Sequence, residues 1–313
     1  MRLGRQLVSW RSLVSAALVA ASFYVLSTAV DIRRSVALVL DAELTLFAAA
    51  VVLYYVPFLV RGQRWRLLLE RAGVDVSLPE ASEVTFLSFF VNNVIPAQLG
   101  DVYRGHLLGK RLEESRSEVT GTVFVVRVLD FVTLVALVTV LGYFVLAARF
   151  WEAFQYLRIG YVFVAAMLVA VAAMLLTRPH RLLPGRLEAV YDRFVAGASA
   201  SLGRDNLLQV VALTLTVWLF VMVRVFLVSQ AAGAGLSFPA AAFLGLFMIM
   251  LTIVPFTPAG LGIVEVLTTA VLSLLGVDPA VTLSVVLLDR MITLVSVVIT
   301  GGSYYLYTGR DVV

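Results

Sequence analysis

The chain has 313 residues, 61% of them hydrophobic and 14% charged, with no cysteine and two histidines. Soluble domains average roughly 45–50% apolar and about 25% charged residues, so composition excludes a soluble globular protein. The missing cysteine excludes disulfides, thiolate metal sites and thiol nucleophiles. The net charge of +4 does not point to nucleic acid, because the basic residues are distributed as membrane topology signals. Arg supplies 23 of the 24 basic residues and Lys110 is the one lysine, a compositional bias from which no function follows.

A helical bilayer crossing takes about 20 apolar residues rising ~1.5 Å each. The first such run, 12–30, follows Arg2, Arg5 and Arg11 and is long for a signal peptide, so a retained helix is expected. A second run covers 44–60. The segment Arg61–Arg71, with Trp65 inside it, predicts a basic helix on the membrane surface. Stretch 83–99 is apolar but interrupted by Asn92, Asn93, Pro96 and Gln98, and Gly100 and Asp101 follow it. Runs 119–147 and 159–177 come next. Residues 182–195 put Leu187, Val190, Tyr191, Phe194 and Val195 on one helical face, which predicts an interfacial cytoplasmic helix over about 181–203. Run 206–232 precedes a second broken stretch, 238–276, which contains Pro255, Pro258, Gly260 and Gly262, and run 280–307 closes the series.

Basic residues set the orientation. Seventeen fall beside segments assigned to one side: Arg2, Arg5, Arg11, Arg61, Arg64, Arg66, Arg71, Arg104, Lys110, Arg111, Arg116, Arg178, Arg181, Arg186, Arg193, Arg204 and Arg310. Four (Arg33, Arg34, Arg149 and Arg158) fall on the other. Both termini are therefore expected in the cytoplasm of a cell-membrane protein. Stretch 83–99 lies between two cytoplasmic segments and must enter and return from that side. Stretch 238–276 must enter and return from outside. Irregular backbone at membrane depth is tolerated only inside protein or beside water, so both are expected as re-entrant hairpins.

Similar patterns recur in the two halves. A spacing of 160 pairs Gly100 with Gly260, Val125 with Val285, Asp130 with Arg290 and Gly142 with Gly302. The expected architecture is an all-α polytopic membrane protein forming one domain over 1–313. It has about six transmembrane helices and two re-entrant helical hairpins, with inverted repeat halves of about 44–147 and 206–307. Inverted repeats with broken helices near the midplane are a transporter signature.

The breaks leave backbone groups without helical partners, each costing several kcal/mol in hydrocarbon unless satisfied. Asn92, Asn93, Gln98, Thr252 and Thr257 stand beside them, either to solvate the turns or to bind a polar headgroup. Five charges fall inside or next to apolar helices. Arg127 and Asp130 are three apart on one helical face and are expected to pair. Glu265 is the expected partner of Arg290, and Asp289 is expected to face Arg127 if the halves pack about a twofold axis. Such charges cost at least ~2.5–3.5 kcal/mol at the bilayer centre. They either form a closed network between the halves or leave arginines open to an anionic substrate, which the guanidinium fork suits. Arg224, nearer a helix end, is expected to snorkel.

Other patterns carry little. Gly105-His106-Leu107-Leu108-Gly109-Lys110-Arg111 has too few residues between its glycines for a phosphate loop and lacks the hydroxyl residue after Lys. His106 and His180 stand isolated, and no metal motif is present. No cofactor and no enzymatic activity are expected.

Four segments together resemble the flippase-like family of lysylphosphatidylglycerol synthase transmembrane regions, from about residue 10 to 307. They are Asn93-Val94-Ile95-Pro96-Ala97-Gln98-Leu99-Gly100-Asp101-Val102-Tyr103-Arg104, Arg127-Val128-Leu129-Asp130, Pro258-Ala259-Gly260-Leu261-Gly262-Ile263-Val264-Glu265, and Arg290. Asp101 replaces the Glu common in the family. The resemblance implies movement of a lipid, often a modified phospholipid, between leaflets. The transferase domain of larger members is absent from this sequence, so the chain is not expected to make that lipid. The expected headgroup site comprises Arg127, Arg290, Asn92, Asn93, Gln98, Arg104 and Thr257. Asp101, Asp130, Glu265 and Asp289 balance or gate it, and Pro96, Gly100, Pro255, Pro258, Gly260 and Gly262 shape the breaks. Expected partners are anionic or polyprenyl-phosphate lipids, a lipid-modifying transferase and a second copy of the chain. The alternative is a non-transporting lipid-binding subunit of a glycosyl- or aminoacyl-lipid transferase system.

Overall fold

The computed structural model describes residues 10–94, 99–146, 185–201, 207–253, 257–274 and 276–308. The expected run 159–177, Pro96, Gln98, Pro255 and His180 lie outside them. All elements among the described residues are helical. They are α1 (Trp10–Ala29), α2 (Ile32–Leu40), α3 (Leu44–Tyr55), α4 (Pro57–Arg71), α5 (Leu78–Val94), α6 (Gly100–Arg111) and α7 (Arg116–Leu146). Then come α8 (Gly185–Ser201), α9 (Leu207–Ala231), α10 (Phe238–Ile253), α11 (Ile263–Leu274), α12 (Pro279–Arg290) and α13 (Val297–Thr308). A 3-10 turn, Pro258–Gly260, precedes α11, and a π turn, Met291–Ser296, joins α12 to α13.

Four stretches among the described residues are long and apolar enough to cross a membrane: Leu44–Arg71, Arg116–Val145, Leu207–Ala231 and Pro279–Tyr307. Three match expected runs to within three residues, whereas Leu44–Arg71 extends the expected run 44–60 by eleven residues. The two broken stretches become helix pairs, α5–α6 and α10–α11. Their members, 17, 12, 16 and 12 residues long, each fall short of the ~20 residues a crossing takes. Element α2 stands where the sequence shows only two flanking arginines. Asp31 caps it by accepting from the Arg34 backbone N–H at 3.0 Å. The Arg34 side chain donates to Asp278 at 2.8 Å. Asp278 in turn caps α12, and the Ala280 N–H holds its carboxyl below the usual range.

The chain forms two compact units. The first gathers Met1–Tyr54, Asn92–Gln98 and Val221–Gly302, and the second Tyr55–Val91, Leu99–Phe220 and Ser303–Val313. In the second unit, Trp65, Leu68, Leu69, Val84, Leu87, Leu108 and Val126 share a core. Glycines let its helices touch backbone to backbone, as membrane interfaces built on small residues do. A Cβ on Gly121 of α7 would stand 2.1 Å from the Phe194 carbonyl oxygen of α8, and one on Gly197 would meet the Glu118 carbonyl oxygen at 2.2 Å. Gly62 meets Ser82 in the same way, and Gly105 meets Thr120. The helix expected over 181–203 thus spans Gly185–Ser201 and packs against α7 along one side. In the first unit the core joins Val225, Val228, Leu244, Val264, Val285, Val286 and Ile292.

Local features recur between the units. Gly73 (φ 80°) and Gly233 (φ 67°) each end a helix in the left-handed conformation that glycine adopts without strain. Gly73 N–H donates to Glu70 O, Val74 N–H to Leu69 O and Ala81 N–H to Ser77 O. Gly233, Ala234 and Ala241, each 160 positions on, repeat these bonds to Gln230, Ser229 and Ser237. Beyond the breaks the spacing becomes 163. Helix α6 starts at Gly100 and α11 at Ile263, while α7 starts at Arg116 and α12 at Pro279. The constant spacing of 160 expected from the sequence therefore fails after the breaks, because the second break is three residues longer in register. Gly100 does not correspond to Gly260, nor Asp130 to Arg290.

A Gly121→Val substitution should lower the thermal midpoint in detergent, at an overpacking cost of about 1–3 kcal/mol. Gly302→Val should leave the midpoint unchanged, because nothing among the described residues lies within 4 Å of a Cβ there.

Candidate functional site

Arg127 sits 11 residues after Arg116 and Arg290 sits 11 residues after Pro279. At ~1.5 Å per residue each is roughly 16 Å into its helix, about half the hydrocarbon thickness. Each is held by the acid in the first turn of the helix that follows a break, where negative charge also suits the helix dipole. Arg127 Nε and Nη2 both donate to Asp101 of α6, the second at 2.7 Å. Arg290 Nε donates to Glu265 Oε1 of α11 at 2.9 Å. The expected Glu265–Arg290 pair is present.

The expected Arg127–Asp130 pair is not. Long helical side chains lean toward the N-terminus, so Arg127 reaches away from Asp130 and meets Asp101. Asp130 accepts a fork from Arg64 of α4 instead, at 2.5 and 2.9 Å. Arg64 Nη1 also donates to Thr214 Oγ1 at 3.0 Å. Asp289, expected opposite Arg127, has its partner inside its own unit, Arg224 of α9, whose guanidinium stands 5.6 Å from the Tyr54 ring centroid. Arg224 is 3% exposed, so it is buried and paired rather than snorkelling. The two units thus repeat one pattern: a helix arginine reaches the acid after a break, and a helix acid reaches an arginine of an earlier helix.

Arg64 and Trp65 correct the expectation of a surface helix over Arg61–Arg71. Both are fully buried, at 1% and 0% exposure, so α4 turns Arg64 and Trp65 inward while Arg66 and Glu70 stay partly exposed. Arg64 and the buried Arg104 are therefore not flanking charges. Without them the count is 15 against four. Trp65 Nε1 donates to Thr122 Oγ1 at 2.9 Å, and its ring lies 3.7 Å from the Arg104 guanidinium carbon. Arg104 lies outside the four candidate spans. Burial lowers its pKa to about 9, so it stays a cation at neutral pH.

The second break is tightly bonded. Ala259 (φ 49°), Gly260 (φ 71°) and Gly262 (φ 85°) all have left-handed backbone, which strains Ala259. Arg290 Nη1 donates to the Ala259 carbonyl at 2.9 Å. Glu265 Oε2 accepts from the Gly262 N–H at 2.6 Å, as the third helical residue does in a capping box. Thr257 Oγ1 donates to Leu261 O at 2.9 Å, so Thr257 solvates the turn. Asn93 Nδ2 donates to Thr293 O at 3.1 Å, supplying a donor within the π turn. Asn92 ends α5 half-buried. The residues missed in the sequence are Arg64, Trp65, Thr214 and Tyr54. Arg64 and Arg224 stand 160 apart, as do the Ala-Gly turns at Ala72-Gly73 and Ala232-Gly233, and that coincidence was the available signal.

Breaking one of these pairs should cost more than removing it. Arg224→Met leaves the buried Asp289 alone and should destabilise by ~3–5 kcal/mol, while the double variant Arg224→Met/Asp289→Leu should recover most of that loss. Thermal unfolding of the singles and the double in one detergent checks the cycle.

The comparisons with known proteins place the chain among membrane proteins. The family model described as lysylphosphatidylglycerol synthase TM region matches residues 12–301. A UPF0104 membrane protein of Methanocaldococcus jannaschii is 29% identical over 225 residues, covering 71% of this chain and 96% of the relative. A second UPF0104 membrane protein, from Pyrococcus horikoshii, is 22% identical over 299 residues, covering 87% and 89%. Glycosyltransferase AglD of Haloferax volcanii is 25% identical over 315 residues, which cover 87% of this chain and 50% of that protein. With the family match running almost end to end, the chain is a membrane protein belonging to the lysylphosphatidylglycerol synthase TM region family.

Proposed function

We propose that the chain is a lipid translocator that moves an anionic lipid, a modified phospholipid or a polyprenyl-phosphate-linked lipid, between leaflets. The observation that carries this reading is the latch at each break, Asp101–Arg127 and Glu265–Arg290. A guanidinium holds a carboxylate and a phosphate in the same forked geometry. A lipid phosphate can therefore exchange with either acid and occupy an arginine about half a membrane deep. Arg290 Nη2 is buried without an acceptor among the described residues, which supports such an exchange at the second break.

In this reading α5–α6 enters from the cytoplasm and α10–α11 from outside, as halves of an inverted repeat in a cell-membrane protein with both termini cytoplasmic. The matched turns at Gly73 and Gly233 and the repeated charge pattern support the repeat. The uneven distribution of arginines supports the orientation. The chain carries no covalent chemistry in this account: its residues hold and release a headgroup.

A second reading, a lipid-binding subunit serving a transferase, draws on one observation. The Haloferax relative named a glycosyltransferase is matched over only half its length. Copurification of a transferase whose activity is lost when this chain is deleted would favour it.

The test is translocation of fluorescent phosphatidylglycerol in proteoliposomes, followed by dithionite quenching. Wild-type chain should expose inner-leaflet lipid faster than protein-free vesicles. Arg127→Ala/Asp101→Ala, which removes the latch without stranding a charge, should slow exposure about tenfold, equivalent to ~1.4 kcal/mol. Wild-type vesicles no faster than empty ones, for both phosphatidylglycerol and a polyprenyl phosphate, would refute translocation.

A further inference from the structure

We propose that Arg104, stacked on Trp65, forms an oxyanion site that holds one phosphate group, either on a lipid headgroup or free. The inference rests on the translocation reading and names the chemistry of its substrate. Arg104 is 3% exposed. Its Nε and Nη2 are buried and donate to nothing among the described residues. These two nitrogens share one edge of the guanidinium, the edge with which Arg127 grips both oxygens of Asp101. An anion with two oxygens on one centre fits that fork.

The nearby acids are already engaged. Asp101 gives both oxygens to Arg127, and Asp130 gives both to Arg64. Three arginines stand against two aspartates, so this cluster of the second unit holds one positive charge in excess. The corresponding groups of the first unit, Arg224 and Arg290 against Glu265 and Asp289, balance. An uncompensated buried cation is costly, and an oxyanion bound at the fork removes that cost. Trp65 preorganises the site: its indole N–H is fixed on Thr122, and its ring covers one face of the guanidinium, leaving the edge to bind. A π-stacked arginine is not replaceable by lysine, which keeps the charge but lacks the fork.

Trp65 also reports on the site. In the full chain with Trp10→Phe, Trp151→Phe and Trp218→Phe, Trp65 is the one remaining tryptophan. Its emission is followed in neutral detergent while inorganic phosphate, phosphatidylglycerol or uncharged diacylglycerol is added. A saturable change with phosphatidylglycerol and none with diacylglycerol is expected. Saturation by inorganic phosphate as well assigns the site to phosphate from either source, and its absence assigns it to the lipid headgroup. Arg104→Gln should weaken binding at least about tenfold, and Arg104→Lys should fall between Gln and wild type. Arg127→Ala/Asp101→Ala, which removes the neighbouring latch without stranding a charge and leaves Arg104 in place, should keep the saturable response even if the Arg104 variants fold poorly, and loss of the response in that double variant would assign it to Arg127 and overturn the site. Identical titrations for Arg104→Gln and wild type, or no saturable response to either anion, would overturn the site. Translocation without an Arg104-dependent response defeats this inference alone, whereas that response without translocation defeats the transport reading alone.

Discussion

Arginines at mid-depth in apolar helices are the constraint on which this structure depends. A lone guanidinium at the bilayer centre costs several kcal/mol. Among the described residues Arg127 and Arg290 pair with acids carried on other helices, Arg290 also donates to the Ala259 carbonyl, and Arg64 and Arg224 supply the return partners. Helices α7 and α12 are thereby each tied to the helix that follows a break. The acids sit in the first turn after the breaks, where exposed N–H groups already favour negative charge. Pairing and helix restart are a single local event.

The breaks carry their own conformational cost. Ala259 accepts a left-handed backbone that an alanine adopts with difficulty, and Arg290 binds the carbonyl of that same residue. The π turn Met291–Ser296 directly follows Asp289 and Arg290. Such insertions are often found at functional sites, and here Asn93 from the end of α5 bonds within it. The polar residues beside the breaks thus divide. Thr257 and Asn93 satisfy backbone, Glu265 both caps and pairs, and Arg104 keeps two donors without an acceptor among the described residues.

Much of this was legible in the sequence, for physical reasons. Bilayer-length runs mark Leu44–Arg71, Arg116–Val145, Leu207–Ala231 and Pro279–Tyr307, because helix rise and membrane thickness fix their length. Proline and glycine placed the breaks, because both disrupt a helix at known cost. Glu265 was recognisable as the partner of Arg290 because it follows the break directly. Arg64 was not legible, since an arginine at the end of an apolar run reads as a topology charge until its neighbours are known. The partner of Arg127 was misread because helical spacing shows which residues share a face but not where a long side chain leans. The repeat register slipped for a related reason: three residues added to a break are invisible when valine and leucine match at many spacings.

The absence of native cysteine allows a direct test of the proposed arrangement. Single cysteines replace Asn92 and Thr252, the half-buried residues beside the two breaks, and are treated with a membrane-impermeant maleimide in sealed vesicles of both orientations. The account predicts that position 92 reacts only from the cytoplasmic face and position 252 only from the opposite one. Reaction of both from the same face, or of neither until the protein is denatured, would contradict it.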